Sequence, residues 1–231
     1  MKFHRMRSPL LVLFLLLQGC SSPVVSPDNA GQDFVYLHEF IPDIDLDVRY
    51  HSSDNFVGTR VDGYNHPVVL ISRPAAIALR GVHESLGERG FGLKVFDAYR
   101  PQKAVDHFVR WAADPADTRT KRKYYPDTPK SRLFELGYIA EKSGHTRGST
   151  VDLTVVDFAT GRELDMGSGW DFFGEISHHD SPLVNSEATA NRELLRDVMV
   201  LHGFVPYANE WWHYTLADEP YPDTYFNFDV E

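Results

Sequence analysis

Two short segments of the chain carry residue types that, once brought together, suit metal-assisted hydrolysis. Ser143-Gly144-His145-Thr146-Arg147-Gly148-Ser149-Thr150-Val151-Asp152 sets an imidazole in a glycine-flanked loop and a carboxylate seven positions later. Glu210-Trp211-Trp212-His213-Tyr214 supplies a second imidazole with a carboxylate three positions before it. A catalytic zinc takes three protein ligands and keeps one position open, and two histidines with a carboxylate are a standard set. His145, Asp152 and His213 make up that set, which leaves Glu210 free to take a proton from an activated water. The division has a chemical reason, since a carboxylate committed to a metal is a poor base. Spacing alone leaves other readings open. A His near an Asp also forms structural pairs, and a Trp-Trp dipeptide also packs in cores.

These residues need elements to hold them. Ser72-Arg73-Pro74 opens a helix, with Ser as cap and Pro in the first turn. Ile77, Leu79, Val82 and Leu86 give its apolar face, and Gly90 closes it. Phe91 to Asp97 reads as a strand that delivers Asp97-Ala98-Tyr99-Arg100 to an edge. Pro101 starts a second helix that buries Ala104, Val105, Phe108, Val109 and Trp111. Residues 114–130 read as a long surface loop. Val151 to Val156 is a strand carrying Asp152. A third helix spans Ser186 to His202, with Leu194, Leu195, Val198, Met199 and Leu201 apolar and Gly203 at its exit. A last strand runs from about Trp211 to Leu216. With no steady βαβ rhythm, the expected fold is α+β, a single domain with a mainly antiparallel sheet flanked by helices and the zinc site at the sheet. His178-His179 is read as structural or pocket-lining, because neighbours on a strand point to opposite faces.

The N-terminus reads differently. Lys2, Arg5 and Arg7 precede an apolar run, Leu10 to Leu17, that is too short to span a bilayer but fits the core of a secretory signal. Leu17-Gln18-Gly19-Cys20 then resembles a bacterial lipobox, with cleavage before a lipid-bearing Cys20. The expected organisation is a signal at 1–19, a lipidated N-terminus and tether at 20–32, and the zinc domain at 33–231. Cys20 is the sole cysteine, so intrachain disulfides and thiolate metal clusters are excluded. Loss of the signal takes three cations and moves the net charge from −10 to −13. That balance argues against nucleic acid and against anionic lipid bound through a basic patch.

Ser143–Asp152 resembles the SxHxxGxAxD motif of the D-alanyl-D-alanine dipeptidases and carboxypeptidases, and Glu210–His213 is similar to their ExxH motif. Further segments resemble the VanX-type dipeptidases: Asp54-Asn55-Phe56, Val61-Asp62-Gly63-Tyr64, Asp97 to Pro101, Ser177-His178-His179 and Asp218 to Pro222. The resemblance implies one zinc per chain on His145, Asp152 and His213, Glu210 as general base, and Arg100 beside the scissile carbonyl to stabilise an oxyanion. It also implies a substrate contact for Ser143. Asp171, in the loop Gly167-Ser168-Gly169-Trp170-Asp171-Phe172, is placed to meet a substrate ammonium, or equally to stabilise a turn. One position departs from the motif, Thr150 where a small Ala is usual, while Gly144 occupies a position the motif leaves open.

The expected reaction is hydrolysis of a small D,D-dipeptide in a closed pocket. The rival is a D,D- or L,D-carboxypeptidase with an open groove for longer peptidoglycan stems, and a more distant one is a non-catalytic peptidoglycan-binding lipoprotein. The expected location is the periplasmic side of a bacterial envelope, held to a membrane by the lipid, with Ser21 favouring the outer membrane. No protein partner is expected.

Overall fold

The computed structural model describes residue 1 and residues 33–231. The signal segment, Cys20 and the tether therefore lie outside the described residues. The main sheet has the strand order β2-β4-β5-β8-β7, formed by Asp45–Leu46, Phe91–Asp97, Thr150–Asp157, His213–Leu216 and Phe204–Pro206. Strand β6 (Arg162–Glu163) pairs with β5 off this path. Only β2 and β4 run parallel, and the other pairs of this sheet are antiparallel. A separate two-stranded ribbon joins β1 (Phe34–Tyr36) to β3 (Leu70–Ser72). This is the expected α+β domain.

The centre of the sheet is buried on both faces. In β5, Thr150 to Val156 are all buried, which is why the segment reads as a continuous β-branched run without alternation. Helix α1 (Arg73–Gly87) packs on β4, and helix α3 (Ser186–Leu201) packs on α1 and β7. Helix α2 (Gln102–Ala113) follows β4 directly and buries Ala104, Val105, Phe108, Trp111 and Ala112. Asn185 caps α3, its side chain accepting the Ala188 N–H at 2.8 Å.

Several local expectations change. Ser72 precedes α1, yet its hydroxyl pairs with Ser149 Oγ at 2.7 Å instead of capping the helix. That bond ties β3 to the loop of the first motif. Leu201 is exposed, because it faces outward in the last turn of α3. Residues 114–130 are not a plain surface loop. They contain a helical turn, Lys121–Tyr124, and bury Tyr124, Tyr125 and Lys130. The Lys130 ammonium donates to the carbonyls of Trp111 and Asp114 at the end of α2. The last strand begins at His213, with Trp211 and Trp212 buried in the turn before it. His178 and His179 follow a 3₁₀ turn, Glu175–Ser177, and lie on no strand.

Among the described residues, no helix is long and apolar enough to cross a membrane.

Candidate metal centre

Strand register assembles the centre. Asp97 of β4, Asp152 of β5 and His213 of β8 stand opposite one another across three adjacent strands. Directly opposed residues of antiparallel strands point to the same face, so all three side chains meet there. In β4 this depends on a bulge. Val95 pairs with Leu153, and the next pair is Asp97 with Asp152, which leaves Phe96 as the extra residue. Unbulged pairing would set Phe96 against Asp152 and turn Asp97 to the other face.

His145 enters from the loop before β5. A 3₁₀ turn, Gly144–Arg147, carries it, with the Ser143 hydroxyl accepting the His145 N–H at 3.3 Å. Gly148, at φ +82°, ends the turn, and a Cβ there would strike the ring of Phe34. Arg147 pairs with Glu219, and Phe226 N–H donates to the Thr146 carbonyl, so the C-terminal strap holds the loop from outside.

The three candidate ligands converge. His145 Nε2 lies 3.2 Å and His213 Nδ1 lies 3.1 Å from Asp152 Oδ1, and the two nitrogens are 3.3 Å apart. Zinc–ligand lengths of about 2.0–2.2 Å give a tetrahedral edge of about 3.3–3.5 Å, close to this triangle. His145 Nδ1 donates to the Ala98 carbonyl at 2.7 Å, which leaves the lone pair on Nε2 facing its partners. Asp152 Oδ1 is buried without a hydrogen-bond partner. Three metal-ligating side chains whose ligand atoms converge this closely suit a cation at their centre. The donor set therefore fits zinc.

The electrostatics agree. Burial pushes the Asp152 carboxyl up, but the His145 and His213 imidazoles outweigh it and hold the group well below the usual carboxylate range. The other oxygen, Oδ2, accepts from Trp170 Nε1 at 3.3 Å and lies 3.5 Å from the Arg100 guanidinium. Burial depresses His213, and Asp152 opposes it. Glu210 has its Oε2 at 3.4 Å from His213 Nδ1. Burial, reinforced by the charges of Asp152 and Asp171, lifts Glu210 well above an ordinary glutamate, and Arg100 opposes that rise.

Arg100 is held on all sides. Its Nε donates to Asp97 Oδ2 at 2.9 Å, and its guanidinium carbon sits 5.2 Å from the Tyr50 ring centre and 5.1 Å from that of Phe108. Asp97 also accepts from Tyr64 Oη at 2.6 Å. The guanidinium is therefore preoriented beside the ligands.

Much of this site borders one cavity of about 250 Å³, lined by Arg100, Ser143, Asp152, Asp171, Glu210 and His213 among others. That is smaller than the roughly 300–1,000 Å³ of sites for drug-sized ligands, so the cavity suits a small substrate. Asp171 is buried in the left-handed region at φ +60°, with Oδ2 accepting from Tyr50 Oη at 2.8 Å. Burial and the charge of Asp152 raise its pKa well above the normal range.

The structure thus brings together His145, Asp152, His213, Glu210, Arg100, Ser143 and Asp171. His178 and His179 stay outside the cavity lining. Sequence reasoning missed the parts played by Asp97, Tyr50, Trp170 and Tyr138. Asp97, three residues before Arg100, carried a signal, since a carboxylate at that spacing is a natural partner for a guanidinium. Tyr50 and Tyr138 carried none, because each reaches the site from a distant segment, while Trp170 stands beside Asp171 in the loop already singled out.

Comparison with known proteins gives a consistent picture. The peptidase M15 family profile, described as D-ala-D-ala dipeptidase, matches residues 30–231. A D-alanyl-D-alanine dipeptidase of Streptomyces coelicolor is 46% identical over 86% of this chain and 98% of its own length. One of Enterococcus faecalis is 46% identical over 85% and 98% respectively. One of Escherichia coli is 33% identical over 80% of this chain and 84% of its own.

Proposed function

The chain belongs to the D-ala-D-ala dipeptidase family of M15 peptidases, and from that premise we propose that it hydrolyses D-alanyl-D-alanine to two D-alanines at a zinc centre held by His145, Asp152 and His213. The observation that carries this reading is the ligand triangle of 3.1–3.3 Å with the Glu210 carboxylate at its edge. When bound, zinc polarises the peptide carbonyl and makes water acidic enough to attack near neutral pH.

The chain's own residues do the rest. Glu210 accepts the proton of the attacking water and passes it to the leaving amine, a task that a carboxyl with a raised pKa performs well. The Arg100 guanidinium is oriented by Asp97 before substrate arrives, and it stabilises negative charge on the carbonyl oxygen without reorganising. Asp171 pairs with the substrate ammonium, and Tyr50 aims its carboxylate. Ser143 lines the cavity and contacts the substrate. Burial of the base, guanidinium and ammonium partner strengthens each of these interactions over its value in water.

The small cavity, of about 250 Å³, supports a dipeptide over a longer stem peptide. The test is D-Ala-D-Ala turnover before chelation, after chelation and after zinc is restored. Turnover that disappears and then returns supports the reading, and turnover indifferent to the metal defeats it.

The lipoprotein form and a periplasmic location belong to the same proposal. They are supported by the basic front, short apolar run and Cys20 context of the N-terminus. Globomycin-sensitive processing together with palmitate labelling that vanishes in a Cys20→Ala variant is the expected outcome. A chain recovered unlabelled from the cytosol would contradict it.

A further inference from the structure

We propose that residues 133–142 form a strap that sets the length of peptide the cavity accepts, held in place by a latch of Tyr207 and Asn209. The proposal rests on the dipeptidase reading above. Gly137 to Ala140 supply one wall of the cavity, while Tyr207, Glu210 and His213 supply the wall beside it. Two hydrogen bonds join these walls. Tyr207 Oη donates to the Gly137 carbonyl at 3.2 Å, and Asn209 Nδ2 donates to the Leu136 carbonyl at 3.2 Å.

The contact is close. A Cβ on Gly137 would lie 2.6 Å from Tyr207 Oη, and Gly137 adopts φ +78°, so a side chain there is both strained and obstructed. The Tyr207 ring lies against His213, with centroids 5.4 Å apart, which ties the latch to the metal centre itself. On its other side the strap is pinned by Tyr138, whose hydroxyl pairs with His178 Nε2 at 3.1 Å and whose ring stacks on Phe173 at 5.3 Å. Buried Leu133 and Ile139 anchor the strap to the core, and the Leu133 carbonyl receives the N–H groups of Tyr138 and Ile139.

The energetics separate latch from anchor. The Tyr207 bond is solvent-exposed and the Asn209 bond half-buried, so opening them lets water satisfy the freed groups. The anchors at Leu133 and Ile139 are buried, so the strap loosens over the cavity without leaving the fold. A loosened strap gives room for residues beyond a dipeptide. An intact one excludes them by shape.

The experiment compares kcat/KM for tri-D-alanine with that for D-Ala-D-Ala in the zinc-loaded protein. It uses the combined Tyr207→Phe and Asn209→Ala variant and, separately, Gly137→Ala. Loss of the latch is expected to raise the tripeptide-to-dipeptide ratio about tenfold, with threefold as the smallest rise that supports the proposal. A merely structural role would lower both rates together and leave the ratio where it was. A ratio that moves less than threefold in both variants overturns the latch. Wild-type protein that splits D-Ala-D-Ala while the ratio stays fixed refutes the latch alone. Wild-type protein that does not split D-Ala-D-Ala refutes the dipeptidase reading and the latch with it.

Discussion

Glu210 and its neighbours divide the chemistry by charge. Asp152 is kept ionised by two imidazoles, while Glu210, a short distance away, is pushed toward its protonated form by burial and by other carboxylates. Two acids in one site are thus shifted in opposite directions, as the proposed roles of ligand and base require. Glu210→Gln keeps the shape and removes the base. It is expected to lower kcat by about 10²–10⁴-fold with bound zinc unchanged, checked by steady-state kinetics beside metal analysis. A second prediction at this scale concerns Thr150, the one departure from the motif, and Gly144, which fills an open position of it. They turn out to be neighbours. A Cβ at 144 would stand 2.6 Å from Thr150 Oγ1, which bonds Thr215 Oγ1 at 2.8 Å. Gly144→Ala alone is expected to cost about 1–3 kcal/mol by overpacking, and Thr150→Ala is expected to recover at least half of it. Urea unfolding of both single variants and the double variant measures the coupling. Additive costs would show that the two sites are independent.

Strands and helices convert these residues into a site. Register aligns Asp97, Asp152 and His213, and the bulge at Phe96 brings Asp97 to the right face. From the sequence, Phe91–Asp97 was legible as a strand and Asp97 to Arg100 as its outlet. The bulge was not, because the apolar pattern of a strand buried on both faces does not show which side each residue takes. A comparable device holds the loop of Asp171. Arg192 of α3 is buried and donates to the carbonyls of Met166, Ile176 and His178, the two ends of the segment that carries Trp170 and Asp171. Arg192→Met leaves one buried and two half-buried carbonyls without their donor. It is expected to cost about 2–4 kcal/mol in urea unfolding and to raise KM more than it lowers kcat, because the ammonium partner shifts. A helix arginine in a polar stretch gave no hint of this in the sequence.

At the scale of the whole domain, one buried histidine away from the metal centre bears on acid stability. His179 is buried, neither ring nitrogen has a hydrogen-bond partner, and burial lowers its pKa from 6.5 to about 4. The nearby Arg196 and Arg192 add to that shift. The folded state therefore favours neutral imidazole, and between about pH 4 and 6.5 the unfolded chain binds more protons than the folded one. Stability from this group is complete above pH 6.5 and falls as the pH drops toward 4, by an amount on the order of 3 kcal/mol. Chelated His179→Phe protein is expected to show a flatter acid limb than chelated wild type in pH-dependent denaturation. Parallel limbs would remove His179 as a cause.

At every scale the division between chain and fold follows the same physics. The candidate ligand types and the α+β class were legible in the sequence, because they rest on side-chain chemistry and on local periodicity, while the roles proposed for the two motifs came from the family resemblance. Asp171 was legible too, as a residue poised between a turn and a substrate. It adopts a left-handed backbone and also faces the cavity. What only the tertiary structure decided are distances between segments far apart in the chain. His145 and His213 are 68 positions apart yet 3.3 Å from each other. The walls of the cavity, the pairing of Gly144 with Thr150 and the clamp of Arg192 also belong here. Such contacts depend on strand register and loop packing, where a shift of one residue turns every side chain to the opposite face.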